Sequence, residues 1–317
     1  MLDAINASAA RFLASLERIH QRAEQAQRQI SSGRKVAVPS DDPDHLQDIL
    51  VSRARLEQVL QVRLNLNRAK AEADSAEQAL AAAMSALDHA AQVGVQGANS
   101  LTSPDSRRTL ATTVQGVLEQ LVAIAATNVE GRYLFSGDSD QVAPYALDLA
   151  QPNGVSAYAG SDATREMLHP GGTRFALSHT AQEIFDSPAP GENIFAAVNA
   201  LRLALENGPT VPVDDPGYQA QLEAQRQAVD DALQQVRQSR THLGRELAHA
   251  GIVQNRVSEA IDFAAKLELR ERTALGNLQD ADIAAAALEL NQAGTHQDAA
   301  LAARAMLPKS SLFDYLA

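Results

Sequence analysis

Eight histidines, at positions 20, 45, 89, 169, 179, 242, 249 and 296, are the first residues to test for catalysis or metal binding. They are scattered along the chain. His242 and His249 stand a heptad apart and would share one face of a helix, but about 10 Å of rise separates them, too far for one metal ion. A structural role, or none, fits them better. Asp41, Asp42 and Asp44 lack the glycine, the alternating spacing and the distal glutamate of a calcium loop. Beside Pro43 they read as caps for a helix starting at that proline. Asp280 and Asp282 read the same way, as caps at a helix-to-helix connection. Gly171-Gly172 after Pro170 fits a hairpin turn between EMLH and TRFALS. Arg53, Arg55, Arg63 and Arg68 alternate with acidic residues, the pattern of a solvated helix face or of ion pairs between subunits. No phosphate loop, dinucleotide glycine pattern, HExxH or GxSxG occurs. The absence of cysteine excludes thiolate catalysis, disulfides and thiolate-bound metals. No catalytic residue, no cofactor and no metal is expected.

Composition narrows the class further. The 317 residues carry a net charge of −12, so no global basic field draws in nucleic acid. No stretch approaches 18 uninterrupted apolar residues, so no membrane insertion is expected. The opening MLDAINASAARFLASLERIH lacks the basic start and unbroken apolar core of a cleaved signal peptide. The 60 alanines crowd the two flanks, whereas 8 of 12 prolines lie between Pro144 and Pro216 and 7 of 12 aromatics between Tyr133 and Phe195. Helix formers at both ends and turn or strand formers in the middle predict a mainly α chain with a small β-rich insert.

Helices long enough to flank such an insert need seams. Ile5, Ala9, Phe12, Leu16, Ile19, Ala23, Ala26 and Ile30 follow alternating steps of four and three, the spacing of a coiled coil. Gly33 is suited to end that helix. A second helix, from about Pro43 to Val93, carries Val59, Val62, Leu66, Leu80 and Leu87 among alanines, with Gly94 and Gly97 expected to break it. Ser103-Pro104-Asp105 opens a third, with Val117, Leu121 and Ile124 on one face. From Gln219 to Leu278 one long helix carries Val229, Leu233, Val236, Leu243, Leu247, Val257 and Ile261. Its seam is interrupted by Arg240, Gln254, Glu268 and Glu271. A last helix, from about Ala281 to Met306, bears Leu288, Leu290 and Leu301. The tail beyond Pro308 adds Leu312, Phe313 and Leu316, and Leu307 links the two. Arms from opposite ends pair only if the middle folds back as a hairpin. The expected segments are a terminal helix and connector over 1–42, bundle helices over 43–130 and 217–279, a β-rich outer domain over 131–216, and a terminal helix and tail over 280–317. The terminal helices are expected to form an assembly seam and the inner ones a bundle core. The 131–216 domain is expected to face outward from the pole opposite the termini.

Several segments resemble the flagellin superfamily, and within it most the proteins that join hook to filament in bacterial flagella. ISSGRKVAVPSDDPDHL (30–46) resembles the N-terminal signature. NVEGRYLFSGDSD (128–140) resembles the run with which junction proteins enter their outer domain, and VSAYAGS and LSHTAQEIF follow in the family's order. LQDADIA (278–284) resembles the C-terminal Asp-Ala-Asp motif, and SLFDYL (311–316) the usual ending. The opening MLDAINASAA departs from the family's Met-Arg-Ile-Ser/Thr start. The resemblance implies a non-enzymatic subunit exported unfolded through the flagellar type III apparatus, with no cleaved signal, to an extracellular place at the hook–filament junction. It implies a ring of copies of itself whose terminal helices build an inner coiled coil. The implied partners are the first hook-associated protein on the hook side and flagellin on the filament side. An export chaperone is implied at roughly Ala281 to Leu316 before secretion. A filament flagellin and a cytoplasmic helical scaffold remain the alternatives.

Overall fold

The computed structural model describes residues 2–38, 40–99, 102–211 and 214–306, with side chains from residue 9 onward. Helices α1 (Leu2–Ser32), α2 (Leu46–Ala98) and α3 (Pro104–Ala125) lead into two short hairpins. These are β1 (Asn128–Val129) with β2 (Arg132–Tyr133), and β3 (Glu166–Leu168) with β4 (Arg174–Ala176). Helices α4 (Ala181–Phe185), α5 (Ile194–Glu206), α6 (Tyr218–Gln279) and α7 (Ile283–Met306) follow. The fold is mainly α, and its strands form two separate antiparallel pairs. The chain divides into two compact units, residues 62–265 and residues 1–61 with 266–317.

In the 62–265 unit, α2 and α6 run antiparallel. Asp88 accepts from Arg240, and Asp74 accepts from Gln254. The two contacts lie 14 residues apart on both helices, two heptads of unbroken register. Arg240 and Gln254 are two of the residues that interrupt the apolar seam of α6, so these interruptions serve as cross-helix pairing positions. Apolar positions pack between these contacts and beyond them on both sides. Leu66, Leu80 and Leu87 on α2, Val117 and Leu121 on α3, and Val229, Leu233, Val236, Leu243 and Val257 on α6 are buried. Val62, Ile124, Leu247 and Ile261 are half-buried, as is Val59 in the other unit.

Helix α2 does not stop at Gly94. It continues to Ala98, because both glycines permit close packing instead of breaking the helix. A Cβ at Gly94 would lie 2.5 Å from a Leu233 methyl and 3.1 Å from both Leu201 methyls, and one at Gly97 would strike Leu205. The end of α2 is held by the buried Arg107. Its guanidinium donates to Gly97 O at 3.2 Å, Asn99 O at 3.4 Å and Gln225 Oε1 at 2.9 Å. Gln225 donates in turn to Ala204 O and Leu205 O near the end of α5. One cation and one amide thereby satisfy carbonyls that two helix ends leave orphaned.

The segment read as a β-rich outer domain also contains α5, a 13-residue helix capped by Asn193 and packed against α3. Its run IFAAVNALRLALE is made of helix formers, and the prolines that mark the middle lie outside it. The aromatics pack against one another within the same core as the helices. Phe135 and Phe195 both lie against Phe185, at ring separations of 6.1 and 5.6 Å, and Tyr145 lies 5.1 Å from Phe195. The β1–β2 turn places Glu130 and Gly131 at positive φ, the requirement of a two-residue hairpin loop. The β3–β4 hairpin turns through Gly171-Gly172 in the register Met167↔Phe175. It packs against Ala69, Ala73, Val253 and Val257, many turns along α2 from Ala98. This part of the 131–216 segment thus lies along the helices of its own unit.

Gly94→Ala should lower unfolding free energy by about 1–3 kcal/mol through overpacking, against the roughly 1 kcal/mol that helix propensity alone would add. Gly116→Ala on α3, where a Cβ meets nothing within 4 Å, should raise it by about 0.5–1 kcal/mol. Urea denaturation of both variants checks the pair.

Candidate functional site

The terminal helices α1 and α7 lie in the other unit, residues 1–61 with 266–317. Helix α1 ends at Gly33, whose φ of 69° suits the left-handed position after a helix. The connector that follows is stitched to the α6–α7 junction. Lys35 N and Val36 N donate to Gln279 O, Ala281 N donates to Gly33 O, and Arg34 bridges Asp280. Asp282 accepts from the amides of Ala284 and Ala285 and so caps α7, as expected.

Of the carboxylates beside Pro43, Asp41 acts differently from the expectation, while Asp42 caps the turn that Pro43 enters. Asp41 accepts from Ala37 N and Val38 N, both at 2.9 Å, and those two bonds hold its carboxyl below the usual range. Asp42 accepts from His45 N and pairs with His45 Nδ1 at 2.9 Å. The contact lowers the carboxyl and raises the imidazole. The turn they close delays the start of α2 to Leu46, three residues past Pro43.

Helices α1 and α7 pack together. Arg22 reaches Glu289 at 2.5 Å, and the Arg304 guanidinium lies 5.6 Å from the Phe12 ring centre. With Arg34 opposite Asp280, contacts that ascend on α1 descend on α7, so the pair is antiparallel. Its tightest points are alanines: Ala26 on α1, and Ala286 and Ala293 a heptad apart on α7. Phe12, Leu16, Ile19 and Ile30 are half-buried, as is Leu290. Leu288 is 59% exposed and Leu301 50%, and Leu13, off the expected seam, is 64% exposed. The backbone of Ile5 is helical. Leu307, Leu312, Phe313 and Leu316 lie outside the described residues. This two-helix layer therefore has an apolar strip used within the chain and further large apolar side chains facing water, Ile283 and Met306 among them.

The histidine pair at 242 and 249 does not converge. His242 Nε2 lies 3.1 Å from Glu183 O and from Ile184 O, while His249 stacks on His179. Among the described residues, no group of three His, Cys, Asp or Glu side chains could hold a metal, and no helix is long and apolar enough to cross a membrane. Sequence reasoning missed the Asp74–Gln254 and Asp88–Arg240 interlocks. Their shared 14-residue spacing was the available signal. It missed the buried Arg107 altogether.

Two family models match, the bacterial flagellin N-terminal helical region over residues 4–140 and the bacterial flagellin C-terminal helical region over residues 226–316. The chain belongs to the bacterial flagellin family. Within that family it is similar to flagellar hook-associated protein 3 of Escherichia coli, 27% identical over 268 residues and 80% of each chain. It is also similar to flagellar hook-associated protein 3 of Salmonella typhimurium, 26% identical over 80% of each. Among solved structures, hook associated protein-3 of Legionella pneumophila superposes with a TM-score of 0.62 at 16% identity, covering 73% of this chain and 98% of that one. FlgL of Xanthomonas campestris gives 0.55 at 16% identity over 70% and 99%. The flagellin-family match thus includes both terminal helices, and its two halves meet in the α1–α7 pair.

The antiparallel register is open to a direct check, because the chain has no cysteine of its own. Arg22→Cys with Glu289→Cys should cross-link within one chain through a short bis-maleimide. Arg22→Cys with Leu301→Cys, about 18 Å further along α7, should not. Gel mobility after denaturation reads both.

Proposed function

We propose that this flagellin-family chain is a non-enzymatic structural subunit that joins the flagellar hook to the filament. The observation that carries the reading is the α1–α7 pair, joined in one antiparallel layer while Leu13, Leu288, Leu301 and Met306 face water. An isolated heptad pair rich in alanine buries little apolar area and is marginal by itself, so its remaining apolar faces are suited to further copies. Relatives named hook-associated protein 3, matched over four-fifths of their length, support the junction over the bulk filament.

In this reading, copies assemble as a ring, with the first hook-associated protein on the hook side and flagellin on the filament side. The seam is formed by Ile5, Phe12, Leu16, Ile19 and Ile30 of α1 and by Leu288, Leu290 and Leu301 of α7. The tail residues Leu307, Leu312, Phe313 and Leu316 extend it. Val59 to Ile261, as assigned above, form the core of the bundle that carries the ring. The working location is extracellular, reached through flagellar export, and before export a chaperone covers about Ala281 to Leu316. Outer loops of the 131–216 segment serve as spacers.

Deletion of the gene, scored by electron microscopy and by flagellin in the culture medium, should leave hooks without filaments and shed flagellin monomers. Complementation with Leu13→Glu, an exposed α1 position outside the chaperone segment, should restore secretion of a folded chain but not filaments. Loss of all bulk filament protein would identify the chain as the flagellin itself. Normal filaments would contradict both flagellar roles.

A further inference from the structure

The β3–β4 hairpin lies on a shallow bed. Phe175 is buried, and with Met167 and Leu177 it packs on Ala69 and Ala73 of α2 and on Val253 and Val257 of α6. Met167 also meets the cluster of Leu66, Ala260 and Ala264. Small side chains beneath a three-residue strand pair supply modest apolar burial, so polar contacts at its root carry weight. As the chain leaves β4, His179 Nδ1 lies 2.6 Å from Glu246 Oε2, and its ring stacks on His249 with centres 4.1 Å apart and planes 11° from parallel. Seven residues before His249 on α6, the buried His242 donates from Nε2 to Ile184 O and Glu183 O, and its Nδ1 lies 3.6 Å from Glu192 Oε2. Arg245 also binds Glu192. Three histidines, two glutamates and one arginine thus join α6 to the segment between the hairpin and α5.

We propose that the β3–β4 hairpin is a strap, held on the α2–α6 pair by the His179–His249–Glu246 clasp, and that mild acid releases it. The stack accommodates one proton. Every neighbouring charge bears on where that proton sits. On α6 these are Glu246, His242, Arg245 and Arg256, on α4 Glu183, and on the loops Asp162 and Glu192. Helix α2 presents only Ala73, Ala76 and Leu80 to the cavity beside the clasp.

The Glu246 hydrogen bond raises His179 above the ordinary imidazole value of 6.5, while burial and then the His179 charge hold His249 below it. Burial pushes the Glu246 carboxyl up, but its bond to His179 and the nearby histidines more than offset this and keep it ionised. The His179 contribution is complete below pH 6.5 and is lost as pH rises through its raised folded value. The His249 contribution is complete above pH 6.5 and is lost as pH falls through its depressed folded value. Acid is the stronger trigger, because it places two imidazolium rings face to face with Glu246 alone, among the described residues, hydrogen-bonded to the pair. Release uncovers Ala69, Ala73, Val253 and Val257. The device is independent of the assembly reading.

Amide hydrogen exchange of the full chain, corrected for intrinsic rates, tests the clasp. From pH 6.5 to pH 5.0 the peptides spanning 165–180 should lose at least tenfold in protection while those of α3 and α5 hold theirs. His249→Phe, which keeps a ring but cannot take a proton, should hold the strap closed at pH 5.0. In the wild-type chain, imidazole proton NMR should show His179 titrating above 6.5 and His249 below it. Equal protection of 165–180 at both pH values would overturn the proposal. So would release of the His249→Phe strap as in wild type, or coincident titration of the two rings.

Discussion

A helix carrying a heptad strip of apolar side chains cannot leave that strip in water, and the length of α2 and α6 makes the demand severe. In the 62–265 unit the strips bury against each other, and how closely they approach is set by alanine. Ala69, Ala73, Ala76, Ala83 and Ala90 on α2 and Ala260 and Ala264 on α6 are all buried. Close approach brings more backbone into van der Waals contact but removes relatively little apolar surface per residue. Such a pair tolerates sliding unless something fixes its register. Asp74 with Gln254 and Asp88 with Arg240 do so, two heptads apart, where a slip of one turn would break both contacts. Everything else in the unit is placed by that register: Gly94 under Leu201 and Leu233, Arg107 under the end of α2, and the hairpin on the bed of alanines.

The terminal layer follows the same physics with less to hold it. Its buried points are also alanines, and its ion pair and cation–π contact are exposed enough to contribute little to stability. Its larger apolar side chains are half-buried at best, and several face solvent. A structure satisfied within one chain would bury them. Here the connectors at 33–38 and 279–282 are bonded firmly to one another, which sets where the two helices start, while the helices themselves carry unused apolar surface. That division between a fixed root and an incomplete coil supports the proposed assembly with further copies.

Much of this was legible in the residues because heptad spacing is a local property. The existence of all five long helices, the Ser103 and Asp282 caps, and the turn at Gly171-Gly172 follow from neighbours within a few positions. Gly94 and Gly97 were misread because a glycine in a helix can mark either an end or a close crossing. What decides between them is Leu201, Leu205 and Leu233, more than a hundred residues away. Asp41 was read as a helix cap, but its partners lie upstream in the connector. Helix α5 was obscured by the prolines around it. The His179–His249 stack joins positions 70 residues apart and has no local signature. Nor does the heptad pattern alone reveal that Leu288 and Leu301 are exposed in a single chain, because a seam looks the same whether its partner lies within the chain or in another copy.

The central claim is that α1 and α7 form a coil that is incomplete in one chain and completed by other copies. Amide hydrogen exchange of α1 and α7, compared between the purified chain and flagella isolated with their junctions intact, tests it most directly. The account predicts that both helices exchange at least a hundredfold more slowly in the assembled state, while the 62–265 bundle is protected equally in both. Equal and strong protection of α1 and α7 in the free chain would show a closed intramolecular pair and would contradict the account.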